Sequence, residues 1–202
     1  FTAQTNALGV LNILESYRQT CPNSKFYQAS SSEMFGSSVD KDGYQRETTP
    51  LNPVSPYGCA KVFGFNISRN YRNSYGLHIV NGILFNHESP RRGETFVTRK
   101  ITMGISKIIY GLDKCLYLGN IYSLRDWGHA RDYVEMCWKV LQYKKPDDFV
   151  IATEKQYSVK YFVDECFKYL RIKIKWYGNG LKEYAKIVSF DNKKYPFLKK
   201  NM

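Results

Sequence analysis

Nine residues, Leu77 to Phe85, set the terms on which this chain can fold. They read Leu-His-Ile-Val-Asn-Gly-Ile-Leu-Phe, a nearly continuous apolar run and not an alternation. That is the pattern of a strand covered on both faces, as in parallel sheets flanked by helices. The neighbouring segments supply the helices. From Thr5 to Tyr17, Leu8, Leu11, Leu14 and Tyr17 recur every third residue, with Val10 and Ile13 widening the apolar face. Cys21-Pro22-Asn23-Ser24 breaks that helix. Pro56 to Tyr75 is a second helix, opened by a proline at the first helical position and ended by Gly76.

The same alternation continues. Short strands are predicted at Lys25–Ala29, Cys115–Leu118, Asp148–Ala152 and Ile172–Trp176. Helices are predicted at Phe96–Tyr110, with Gly111 as its cap, at Ala130–Tyr143 and at Val159–Leu170. Residues 36–56, 86–93 and 119–128 read as loops, and the tail from Gly178 to Met202 has no firm period. Strand and helix in turn predict βα units and a largely parallel sheet. In such sheets sites form where loops leave the C-terminal ends of strands. Ser30-Ser31-Ser32-Glu33 and the Asn86–Arg92 loop both occupy that kind of position.

Composition excludes several classes. At 202 residues and 43% hydrophobic the chain can bury a real core, so it is not a disordered segment. No apolar run approaches the roughly 20 residues that span a bilayer, and the first residues lack the basic start and apolar core of a secretory leader. The setting is expected to be cytoplasmic, with no membrane partner. The cysteines Cys21, Cys59, Cys115, Cys137 and Cys166 are odd in number and never paired as C-x-x-C, which reads as reduced thiols, with no disulfide frame and no metal site. Cys59 is expected to be a small packing residue. The net charge is +12, with lysines clustered at Lys193-Lys194 and Lys199-Lys200. Nucleic acid is one partner class for such a charge, but no recognition helix, zinc knuckle or stacking platform accompanies it, so a solvated lysine-rich surface is expected and no nucleic acid. A basic cleft for a phosphate-rich small ligand also suits the charge.

Tyr57-Gly58-Cys59-Ala60-Lys61 opens the second helix. Four residues apart, Tyr57 and Lys61 share one helical face. An ammonium near a phenol stabilises the phenolate, so the phenol can accept a proton near neutral pH. Alone, the spacing occurs by chance in many helices.

A serine run after one strand, then Tyr-x-x-x-Lys on the next helix, resembles the short-chain dehydrogenase/reductase superfamily. The resemblance sharpens at Gln28-Ala29-Ser30-Ser31-Ser32-Glu33-Met34-Phe35-Gly36 and through the block from Asn81 to Ile101, which includes Asn86-His87-Glu88-Ser89-Pro90-Arg91-Arg92-Gly93. It continues at Leu118-Gly119-Asn120, Arg125-Asp126-Trp127-Gly128-His129-Ala130 and Asp148 to Thr153. Together these are similar to the GDP-mannose 4,6-dehydratase family, an extended branch of that superfamily, from the first helix to about Trp176.

The resemblance implies a Rossmann-like, doubly wound parallel sheet, incomplete at the N-terminus, with part of a smaller substrate domain. Residues 1–90 would be the C-terminal half of the NADP-binding domain with the catalytic residues. Residues 91–202 would mix the GDP-sugar region with late strands and helices of the Rossmann domain, cut short at the C-terminus. It implies NADP as cofactor, GDP-mannose as substrate and a homo-oligomer, a dimer or tetramer, at full length. In the implied reaction Tyr57 is the base for the carbon 4 hydroxyl and Lys61 holds the nicotinamide ribose. Ser31, usually Thr in the family, bonds the same hydroxyl, and Glu33 is the acid/base at carbons 5 and 6. His87 and Arg92 match cofactor contacts. Asn86, Lys100 and Arg125 match contacts to the nucleotide diphosphate, although Arg125-Asp126 also reads as a local ion pair. His78 reads as structural.

The departures from the family pattern matter. No G-x-x-G-x-x-G lies between a strand and a helix in the 202 residues. Phe1 stands where the family has a tyrosine whose hydroxyl contacts NADP, and the C-terminal substrate helices are absent or replaced by Tyr195-Pro196-Phe197-Leu198-Lys199-Lys200. Two readings stay open. The chain is a segment of a complete dehydratase, or it is an inactive remnant that at most partners a full-length one. In either case the 202 residues by themselves are expected to bind NADP poorly and not to turn over GDP-mannose.

Overall fold

The computed structural model describes residues 1–198. Lys199 and Lys200, half of the expected lysine cluster, lie outside the described residues. The chain forms two compact units, each drawn from two stretches. Unit 1 comprises Phe1–His87 and Trp127–Thr153, and unit 2 comprises Glu88–Asp126 with the chain from Glu154 on. Among the described residues no helix is long and apolar enough to cross a membrane.

Unit 1 is built on three parallel strands in the order β1 (Phe26–Ser31), β2 (Ile79–Leu84), β5 (Asp148–Ile151). The β2 run is the one foreseen: Ile79, Val80, Asn81, Gly82 and Ile83 are all buried, because both faces are covered. Helix α1 (Gly9–Thr20) follows a π-helical turn at Gln4–Leu8, and α2 spans Pro56–Tyr75. The start of α2 has a local cause. Ser55 is extended and its hydroxyl accepts from the Gly58 amide, while Pro56 takes a position whose N–H would have no helical partner. Its end is Gly76, left-handed at φ 65°, a conformation that Gly adopts without a Cβ penalty.

Two buried clusters hold α2 to the sheet. Leu14, Tyr17, Tyr71, Leu77 and Ile79 form one. Met34, Phe35, Phe65 and Ile83 form the other. Met34 and Phe35 are fully buried, each contributing about 1.5–3 kcal/mol, and they pin the turn that carries Glu33 at the surface. Helix α4 (Ala130–Leu141) packs on β1, β2 and β5, and His78 Nε2 lies 3.2 Å from the Leu141 carbonyl oxygen, a structural setting.

In unit 2, α3 (Val97–Ile109) buries Thr98, Ile101, Ile105 and Ile108 and packs against α5 (Val159–Tyr169), which buries Val159, Val163 and Phe167. Four expectations change. Cys115–Leu118 is not a strand. Leu116 instead fills the notch at Gly104 of α3, where a Cβ would come within 2.7 Å of it. The stretch read as a loop at 119–128 contains the start of β4 (Leu124–His129), and Asn86–Glu88 is the short strand β3. The tail contains β8 (Tyr184–Ser189), which pairs antiparallel with β7 (Lys173–Tyr177). β4 also pairs antiparallel, with the three-residue β6 (Gln156–Ser158), so the parallel arrangement belongs to β1, β2 and β5. These strands are short or polar and give no period. Pairing makes them strands.

Candidate active site

The C-terminal end of β1 and the first turns of α2 meet in unit 1. Ser31 is the last residue of β1, and its Oγ accepts from the Glu33 amide at 3.2 Å, capping a 3-10 turn at Ser32–Met34. Glu33 Oε2 in turn accepts from Ser55 Oγ at 3.1 Å. Ser55 Oγ also accepts from the Gly58 amide at 3.0 Å. A Cβ on Gly58 would stand 2.9 Å from the Glu33 carbonyl oxygen, so only glycine lets the helix start this near the turn.

Tyr57 and Lys61 follow on the same helix. The Lys61 Nζ donates to the Ala29 carbonyl oxygen of β1 at 3.0 Å and stands 5.5 Å from the centre of the Tyr57 ring. Burial pulls the Lys61 pKa below its ordinary value, since the half-buried ammonium has given up part of its hydration. Tyr57 remains 37% exposed. The structure therefore brings together four foreseen residues: Ser31, Glu33, Tyr57 and Lys61. A serine hydroxyl, a carboxylate, a phenol and an ammonium at one strand end are groups that can donate, accept and relay protons.

The other five have their own surroundings. Asn86 and His87 begin β3, with His87 stacked on Tyr133 at 5.0 Å between ring centres and its Nδ1 2.9 Å from the Phe85 carbonyl oxygen. In unit 2, Arg92 Nε pairs with Glu88 Oε2 at 3.2 Å, and its guanidinium covers the Phe96 ring at 3.6 Å. Lys100 is exposed on α3. Arg125 is exposed on β4 while Asp126, on the other face of the strand, is 5% exposed. Cys59 is exposed and not the packing residue expected, because the buried stripe of α2 runs through Gly58, Ala60, Gly64, Phe65, Ser68 and Tyr71. All five cysteines are free thiols.

Sequence reasoning passed over Ser55 and Gly58. The signal for Ser55 was present: a serine directly before the proline of a helix start is a capping pattern. Its bond to a carboxylate in another segment left no local trace.

The sequence model of the family described as "GDP-mannose 4,6 dehydratase" matches residues 1–200. The GDP-mannose 4,6-dehydratase of Vibrio cholerae is 51% identical over 201 residues, covering 98% of this chain and 53% of that protein. The chain thus spans about half the length of the curated relatives it matches. Among solved structures, the dTDP-glucose 4,6-dehydratase of Bacillus anthracis in complex with NAD superposes with a TM-score of 0.75 at 26% identity, covering 84% of this chain and 53% of that one. RMD from Pseudomonas aeruginosa, complexed with NADPH, shares the fold at a TM-score of 0.75 and 21% identity, over 80% of this chain and 56% of its own.

Proposed function

The chain belongs to the GDP-mannose 4,6-dehydratase family, and from that membership we propose that the protein carrying it converts GDP-mannose to GDP-4-keto-6-deoxymannose. The observation that carries the reading is Glu33, a carboxylate fixed by Ser55 at the start of the helix that bears Tyr57 and Lys61. A dehydrogenase needs the phenol and the ammonium. Elimination of water needs an acid/base besides.

In this reading Tyr57 removes the proton of the carbon 4 hydroxyl, and Lys61 stabilises the phenolate. Ser31 Oγ hydrogen-bonds the same oxygen as it becomes a ketone. The ketone acidifies the carbon 5 proton, which Glu33 takes. Glu33 then passes a proton to the carbon 6 hydroxyl, which leaves as water. A bound nicotinamide cofactor would supply the oxidation at carbon 4 and the matching reduction at carbon 6, and carbon 5 then takes up the solvent-exchangeable proton held on Tyr57, so no outside reductant is used and the phenol is reset. The Tyr57–Lys61 end fits the nicotinamide half, since Lys61 is half-buried with Nζ beside the phenol and has donors to spare for a ribose. The 202 residues hold no Gly-rich turn for a pyrophosphate, which supports weak dinucleotide binding by this stretch alone.

The finer assignments belong to the same proposal. The cofactor is NADP, with His87 and Arg92 among its contacts. Asn86, Lys100 and Arg125 meet the diphosphate of GDP, where cationic and amide donors suit phosphate oxygens. The full protein is a cytoplasmic homo-oligomer, a dimer or a tetramer.

The test uses the natural protein with GDP-mannose and NADP, followed by NMR of the sugar in deuterated water. Conversion should yield the 4-keto-6-deoxy sugar with solvent deuterium at carbon 5. Glu33→Gln should cut turnover about 10²–10⁴-fold. Absence of product with the wild-type protein, or full turnover by Glu33→Gln, would sink the reading.

A further inference from the structure

We infer that Ser55 is a positioning residue: its hydroxyl ties the Glu33 carboxylate to the first turn of α2 and so holds it in register with Tyr57. The inference rests on the acid/base reading of Glu33 and assigns the residue that makes that carboxylate usable.

The hydrogen-bond directions follow from the groups involved. A hydroxyl has one proton to give and two lone pairs. The Gly58 amide can only donate, so at 3.0 Å Ser55 Oγ accepts. Its single proton is then directed to Glu33 Oε2, 3.1 Å away. A hydroxyl already accepting from an amide is polarised, and it donates more strongly for it. It sits at a helix N-terminus, where a negative charge is favoured. Ser55 is thus a two-sided joint. One side caps α2, and the other presents a proton to an ionised carboxylate.

The surrounding chain holds the turn and the helix start close together. Gly58 lacks the Cβ that would stand 2.9 Å from the Glu33 carbonyl oxygen and 2.9 Å from the Pro53 Cβ. At the near end of the turn, Ser31 Oγ holds the Glu33 amide. Below it, buried Met34 and Phe35 prevent the turn from rolling. Glu33 is gripped at its backbone by Ser31 and at its side chain by Ser55. Tyr57 stands two residues beyond that grip. The two groups that act in succession on adjacent sugar carbons therefore share one frame.

Capping and positioning can be separated by substitution. Asp equals Ser as an N-cap, but at neutral pH it has no proton to give and sets a second negative charge beside Glu33. Thr keeps the hydroxyl. In the natural protein, Ser55→Thr should stay near wild-type turnover. Ser55→Asp should keep the helix cap and stay folded yet lose about 10- to 100-fold in kcat, a loss larger than its drop in melting temperature accounts for, with little change in KM for the sugar nucleotide. The loss should fall on deuterium uptake at carbon 5, while the transient reduction of the nicotinamide persists. Wild-type kcat in Ser55→Asp would leave Ser55 a helix cap and nothing more. Equal loss of both steps, in parallel with melting temperature in all variants, would do the same. A second measurement is independent of activity: a double-mutant cycle on unfolding with Glu33→Ala and Ser55→Ala. Non-additive unfolding is expected. Strict additivity overturns the inference even where the protein shows no dehydratase activity, an outcome that would count separately against the proposed reaction.

Discussion

Arg72, Asn81 and Asp148 lie where β5 begins, and Ser31, Glu33, Tyr57 and Lys61 lie where β1 ends. Both groups belong to unit 1 and both are polar. In the first, Asp148 Oδ1 accepts from Asn81 Nδ2 at 2.8 Å and from Arg72 at 2.9 Å, and Arg69 Nε reaches Oδ2 at 3.2 Å. Arg72 also donates to the Ile79 carbonyl oxygen, and its side chain is only 9% exposed. Here the charges hold one another, with Arg72 and Asp148 buried and only Arg69 reaching water. In the second group Lys61 donates to the Ala29 carbonyl oxygen and the Glu33 carboxylate accepts from Ser55, and both keep hydrogen-bonding capacity beyond that bond. A cluster whose charged groups are spent on one another serves the fold, even with Asn81 Oδ1 left unpaired. A cluster with unspent donors and acceptors, partly exposed, can do chemistry, and it adds less to stability for the same reason.

That contrast can be broken by substitution. The largest effect is expected from Asp148→Ala, which leaves Arg72 and Asn81 buried without their partner. It should destabilise by about 3–5 kcal/mol, read from urea unfolding. A loss below about 1 kcal/mol would mean the cluster is wetter than its burial indicates.

Gly58→Ala comes next. In an open helix this change stabilises by about 1 kcal/mol. Here the added Cβ meets the Glu33 carbonyl oxygen, and the strain should turn that gain into a loss of up to about 2 kcal/mol. Turnover should fall with it. A more stable protein with full turnover would show that the Glu33 turn yields easily.

Lys61→Met should have the smallest effect on stability, under about 1 kcal/mol, because the lost bond to Ala29 is offset by removal of a desolvated charge. The sign with pH follows from the depressed lysine pKa. Below its folded value, which lies under the ordinary 10.5, the charged form costs the native state, and the cost fades as pH rises through that value. Any advantage of Lys61→Met at neutral pH should therefore shrink in alkaline solution, by thermal melts across pH. Activity should be lost throughout. An advantage that grew with pH would contradict burial as the cause of the shift.

The second helix shows how much was legible from residue order. Ser55-Pro56 at one end and Gly76 at the other mark its limits, since capping and backbone sterics act within a few residues. α3, α4 and α5 were visible through their periodic apolar faces. Of the site, Tyr57 and Lys61 were readable as neighbours on one helical face. Their link to Ser31 and Glu33 came from resemblance, because residues this far apart in sequence leave no spacing signal.

The amino-acid sequence by itself determined the apolar β2, the helices around it and the chemical types available at the strand ends, because each of these depends on local propensity and period. Only the tertiary structure decided which polar runs became strands. Arg125 is in a strand because Tyr157 pairs with it, and Tyr184 because it pairs with Tyr177. It also decided that β5 returns from late in the chain to cover β2, that Cys59 faces out, and that Ser55 meets Glu33. The physical reason is common to all of them. A ladder partner, a covered face or a hydrogen bond between distant segments has an energy only once the chain has brought the two sides together.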